Sequence, residues 1–284
     1  MTALTTQIHV PLDPPADHRS AYVVAALDRT PVHVAVRAVG EAMARHLGVP
    51  LRELHVGGTS HRARSVASRL ASVERGETTE VPGRPSFILS ALVESPSSPL
   101  LVLGAPAEPR RSANRGHTGT TLAVARRVSR PVLVAPRALT SWSGPRRVLV
   151  PLDGTSMTAF CAAQAVIDLD LAAVTTTTAH VFYDGTVPSF WDQPYHEYEA
   201  WTNEFRARYV APALEDGLVL RAGPRDPGSQ LVTMLEEGGF DMVVAVWSQL
   251  APGTKADVIF KLLANSPVPI LLVPSNDTGA DAGG

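Results

Sequence analysis

The chain is written twice. Residues 22–28 read YVVAALD and residues 147–153 read RVLVPLD, each an apolar run closed by an aspartate. His55 follows Asp28 by 27 residues, and His180 follows Asp153 by the same 27. Further on, PLLVLGA (99–105) answers DMVVAVW (241–247), and RPVLVAP (130–136) answers VPILLVP (268–274). Four matched runs in one order predict two copies of one domain, at 20–138 and 146–275. Between them a short stretch of small and polar residues, 139–145, reads as a linker. Residues 1–19 are left as an N-terminal tail and the Gly-rich 276–284 as a disordered one. IHVPLD (8–13) resembles the first run too, but Asp13 lies 42 residues before His55, out of register. It reads as an extra edge strand or part of the tail.

The runs do not alternate apolar with polar. They are rich in Val, Leu and Ile throughout, as strands buried on both faces are. Helical spacing sits between them. VRAVGEAMARHLG (36–48) places Val36, Val39, Met43 and Leu47 on one face, with Gly48 as a stop. PSFILSALVES (85–95) matches GSQLVTMLEEGG (228–239), and TLAVARRVS (121–129) matches VIFKLLANS (258–266). Strand and helix in alternation give a doubly wound α/β sheet in each copy, with helices on both faces.

A net charge of −2 offers no footprint for nucleic acid. A lone cysteine, Cys161, excludes an internal disulfide and a cysteine zinc cage. No apolar stretch is long enough to cross a membrane, and the N-terminus lacks the pattern of a secretory signal. The expectation is a cytoplasmic protein without membrane or nucleic-acid partners.

In open α/β sheets, ligands bind beyond the carboxyl ends of the strands, where the connection order reverses. The loop from Gly104 to Gly119 belongs there. Glycine lets a backbone approach a phosphate, and Gly119-Thr120-Thr121 opens a helix whose free N–H groups and hydroxyls suit an anion. Arg110, Arg111 and Arg115 add charge. The loop is neither Gly-Lys-Ser/Thr nor G-x-G-x-x-G.

This arrangement resembles the universal stress protein family in its tandem two-domain form, across nearly all of residues 20–275. The resemblance implies five-stranded α/β domains of the adenine nucleotide alpha hydrolase-like type. ATP-binding members carry an aspartate after the first strand and Gly-x2-Gly-x9-Gly-Ser/Thr after the fourth. Asp28 and Asp153 match the aspartate, Gly104 the first glycine, and Gly119-Thr120 the closing pair. Ala107 stands where the second glycine belongs, and the interval to Gly119 is two residues longer than the pattern. In the second copy Trp247 is read in place of the first glycine, and Asp257-Val258 replaces Gly-Thr. The resemblance thus implies an adenine nucleotide, ATP with Mg2+, in the first copy and a degenerate second copy. It further implies a stress-response regulator with slow or no hydrolysis, and pairing of 132–136 with 270–274, within the chain or across a homodimer.

Plainer readings stand beside these. Asp28 and Asp153 serve equally as caps or turn formers after strands. His55 and His180 read as structural, and Cys161 as a buried, inert thiol. Eight of the 16 aromatic residues fall within 182–205. Trp191, Tyr195, Tyr198 and Phe205 share a helical face, which either packs on its own sheet or meets a partner. The matching 60–77 is basic. A protein-binding module using that aromatic segment is therefore the alternative function. A hydrolase of the same superfold is a third, for which no catalytic residue is named.

Overall fold

A computed structural model of the protein describes residues 22–28, 30–57, 65–77, 79–97, 99–106, 119–182, 196–214, 217–222, 226–248 and 254–275. The first half runs β1 (Val23–Leu27), α1 (His33–Leu47), β2 (Leu51–Val56), α2 (Val66–Glu74), β3 (Glu80–Val81), α3 (Pro85–Val93), β4 (Leu100–Gly104), α4 (Thr120–Ala125) and β5 (Val132–Ala135). The second runs β6 (Arg147–Pro151), α5 (Ser156–Asp168), β7 (Thr175–Phe182), α6 (His196–Tyr209), β8 (Leu218–Ala222), α7 (Pro227–Glu237), β9 (Met242–Ser248), α8 (Thr254–Asn265) and β10 (Ile270–Ser275).

All ten strands form one sheet, ordered β3-β2-β1-β4-β5-β10-β9-β6-β7-β8. Each half is parallel within itself and has the same order. The halves meet at β5 and β10, which pair antiparallel, with Leu271 opposite Leu133. The last strands therefore join within the chain. Every central strand is apolar on both faces because helices cover both. Val24, Leu101 and Val132 lie under α3 and α4, while Val23, Val102 and Leu133 belong to the core facing α1 and α5.

Gly40 lets α1 sit close to the sheet: a Cβ there would lie 3.1 Å from Leu51 Cδ1 and 3.3 Å from Ala25 Cβ. Gly48 ends α1 in the left-handed conformation, at φ 65°, which glycine adopts without steric cost. The linker is packed rather than loose. Trp142 leans on the core and donates its indole N–H to the Asp241 carbonyl at 2.9 Å, and Asp241 Oδ1 accepts from the Arg146 and Arg147 amides.

The third strand of each half, β3 and β8, has no matching apolar run in the sequence. The halves also differ in the helix that follows their second strand. α2 sends Val73 and Leu70 into the core beneath α3 and α4. α6 sends Phe205 into the core shared by α1 and α5, with Trp201 and Tyr209 packed around it. Phe205 stacks on His180 and Tyr209. So the described part of the aromatic segment packs on its own sheet. Trp191 and Tyr195 lie outside the described residues, as does the 8–13 stretch.

Candidate functional site

The crossover from β1 leads to β2 on one side, and the chain returns through β3 to β4 on the other. β1 and β4 are neighbours, so the connections part above their carboxyl ends. A cleft of about 240 Å³ opens there, with Leu27, Asp28, Leu103, Gly104, Gly119, Thr120, Thr121 and Arg137 among the residues around it. All five residues expected to hold a nucleotide in the first half thus line one cleft.

Asp28 ends β1 in a tight turn. Its Oδ1 accepts from the Thr30 amide at 2.9 Å and the Thr30 hydroxyl at 2.6 Å. Asp153 repeats this on Thr155, at 3.0 Å and 2.7 Å. The shared signal, Asp-x-Thr in both copies, is readable in the sequence. Neither aspartate caps the helix that follows. Val32 precedes α1 without a side-chain cap, and Thr155 caps α5 by accepting from the Thr158 amide.

Gly104 answers to packing. A Cβ there would lie 2.4 Å from Val32 Cγ1, and β-branched Val32 has little rotamer freedom with which to withdraw. Gly119 has open space, with Pro106 Cβ at 3.8 Å from the equivalent point. The buried Thr121 hydroxyl donates to the Gly104 carbonyl at 2.7 Å. It clips α4 to β4, while Thr120 is exposed. Arg110, Arg111, Arg115 and Ala107 lie outside the described residues. Arg137, which sequence reasoning passed over, reaches the cleft from just beyond β5 and donates to the Ala105 carbonyl at 3.4 Å.

In the second half the strand register corrects one equivalence. Val23 pairs with Leu100 in the first half, and Val148 with Met242 in the second. Counting on, Val246, not Trp247, occupies the position of Gly104, and Trp247 that of Ala105. Ala105 and Trp247 accordingly share one core cluster. Beside Asp153, the His180 ring bonds through Nδ1 to the Leu152 carbonyl at 2.7 Å. Burial holds its pKa below the usual histidine value, against the raising effects of that bond and of Asp153. Its first-half counterpart, His55, is exposed. Cys161 is half-buried rather than fully buried, and that burial pushes its thiol up.

Among the described residues no three His, Cys, Asp or Glu gather as metal ligands, and no helix is long and apolar enough to cross a membrane.

Two copies of a 3-2-1-4-5 α/β unit, joined edge to edge through their last strands, define a tandem α/β protein of adenine nucleotide alpha hydrolase-like fold. Among solved structures this fold matches universal stress proteins along the whole chain. A universal stress protein from Archaeoglobus fulgidus matches with a TM-score of 0.59 and 13% identity, over 92% of this chain and 98% of that one. A putative universal stress protein from Pseudomonas aeruginosa matches at 0.55 and 14%, over 93% and 96%. A functionally unknown protein from Pseudomonas aeruginosa matches at 0.54 and 13%, over 92% and 94%. No protein-family model matches the sequence, and no curated protein matches it significantly.

Proposed function

We propose that the first half binds an adenine nucleotide in the β1–β4 cleft and that the chain acts as a cytoplasmic stress-response regulator. The observation that carries this reading is the convergence of Asp28, Gly104, Gly119 and Thr120 on one cleft at the switch point. Leu27, Leu54, Val56 and Leu89 give the cleft apolar walls suited to a base. Gly119 and Thr120 offer donors suited to a phosphate. At about 240 Å³, the cleft is smaller than the roughly 300–1,000 Å³ of enclosing ligand sites. A bound ATP would bring Mg2+ with its phosphates. Among the described residues no arrangement of nucleophile and base stands out, and the function we propose is that of a sensor.

The second half is the degenerate partner. Val246 replaces Gly104, and Asp257 puts a carboxylate in the first turn of α8, where the matching α4 opens with Gly119-Thr120; a carboxylate there repels a phosphate. Copying that residue back is the test. Wild type and Gly119→Asp are titrated with ATP by calorimetry, after mass spectrometry of whatever the denatured wild type releases. The expectation is wild-type binding, weakened tenfold or more in the variant. A wild type that releases no nucleotide and gives no heat at millimolar ATP would sink the reading.

A second reading, contact with a protein through the second half, has one observation in its favour. Met157, Phe160 and Ile167 on α5 are 44%, 50% and 46% exposed. Their spacing places them along one side of the helix.

A further inference from the structure

We propose that Arg137 is the cation that selects a phosphorylated ligand over an uncharged nucleoside in the first-half cleft. The inference rests on the nucleotide reading above and deepens it. Arg137 stands where β5 passes into the linker, one strand away from Gly104, and lines the same cleft as Gly119 and Thr120. Its guanidinium is steered by one bond, Nη1 to the Ala105 carbonyl at 3.4 Å. Among the described residues no carboxylate pairs with it, and the side chain is exposed. A guanidinium has five donors in a fixed fork. One is used on the carbonyl, and the others remain for an oxyanion, which such a fork meets in bidentate fashion.

The second half supplies an internal comparison. β4 pairs with β5 through Leu101 and Val132, and β9 with β10 through Val243 and Ile270. Counting on five residues makes Ser275 the counterpart of Arg137. So at two equivalent positions the first half has Gly104 and Arg137, where the second has Val246 and Ser275; Asp257 lies in the first turn of α8, the helix that matches α4. Relative to the first half, the second loses the cation and gains a carboxylate in the first turn of α8. Both changes disfavour an anion, and among the described residues the first half has the cation that would accept one.

The full-length protein and its Arg137→Ala, Arg137→Gln and Arg137→Lys variants are titrated with ATP, AMP, adenosine and inorganic tripolyphosphate, and each variant's thermal unfolding is recorded. We expect ATP to bind wild type at least tenfold more tightly than adenosine. Arg137→Ala and Arg137→Gln should bring ATP down to the adenosine level and leave adenosine unchanged, with Arg137→Lys in between. Tripolyphosphate binding alone, without adenosine or AMP, would mark a general anion site. That keeps the role of Arg137 if the variants abolish it, while removing the nucleotide reading. ATP affinity unchanged in the variants overturns the role of Arg137 and leaves the nucleotide reading standing. An equal loss for ATP and adenosine at unaltered thermal stability overturns charge selection. A wild type that binds none of the four overturns both.

Discussion

A methyl group at position 104 would stand 2.4 Å from Val32 Cγ1, whereas at 119 it would meet, among the described residues, nothing closer than Pro106 Cβ at 3.8 Å. Gly104→Ala should therefore destabilise by about 1–3 kcal/mol, the usual cost of overpacking. Gly119→Ala should change stability by less than about 1 kcal/mol, because its backbone is not left-handed. Urea unfolding of the two variants separates the roles. His180 gives the pH dependence at this scale. Its pKa is lowered in the fold, so the unfolded chain takes up the proton first. The stability it contributes is complete above the unfolded value of about 6.5 and is lost as pH falls toward the lower folded value. Unfolding free energy should drop between pH 7 and 5 by at most about 1.4 kcal/mol per pH unit from this group. His180→Gln should flatten that slope in urea titrations run across the range. Asp28 and Gly104 were legible because an aspartate or glycine ending an apolar run stands out, and Gly119 because it opens a helix. Arg137 was not, because nothing local marks an arginine after a strand as facing a cleft built by three other segments. Trp247 was mistaken for the counterpart of Gly104 although the match of 99–105 with 241–247 already sets Val246 there, and strand pairing agrees with that match.

Helices α7 and α8 are tied by a polar knot. Lys261 Nζ donates to Asp226 Oδ2 at 2.8 Å and to Ser229 Oγ at 2.9 Å, while Asp226 Oδ1 caps α7 by accepting from the Ser229 amide. Gly228 makes room: a Cβ there would lie 2.8 Å from Lys261 Cβ. The Lys261 and Ser229 bonds hold the Asp226 carboxyl down at about 2. This stabilisation is present above the ordinary value near 3.9 and disappears as pH falls through about 2. Both side chains are partly in water, so the ion pair itself contributes at most about 1 kcal/mol. Asp226→Ala also removes the cap and should cost about 1–2 kcal/mol at pH 7 and much less at pH 2. Chemical denaturation at both values checks it. At this scale the sequence reads well where an element is central. Periodicity located α1, α3, α7 and α8 because their apolar stripes face a two-sided core. It missed β3 and β8, which lie at the two edges of the sheet. An edge strand has one neighbour, and β3 needs only two residues to make it. The aromatic spacing announced α6, but not that Phe205 would go under it while the equivalent α2 turns to the opposite face.

The core facing α1 and α5 draws on both halves, from Val23 and Met43 to Val166 and Val273, and the sheet is continuous across β5 and β10. Thermal unfolding should therefore show one cooperative transition rather than two, with calorimetric and van't Hoff enthalpies in agreement. Expressed alone, residues 20–138 would expose β5 as a bare apolar edge. That fragment should self-associate, as light scattering after size exclusion would show, whereas a monomeric, stable fragment would mean the seam matters little. The duplication was visible in the sequence because strand spacing survived in both copies. The seam was visible only as a choice between pairing inside the chain and pairing across two chains, since a strand's sequence does not name its neighbour. The antiparallel junction of β5 and β10 also has a genetic consequence. When two identical subunits pair through such an edge, a codon change alters both sites together, so a loss in one is a loss in each. A covalent tandem breaks that bond between sites. Valine and serine can stand in one copy where the other keeps glycine and arginine, so each end of the sheet is free to change by itself.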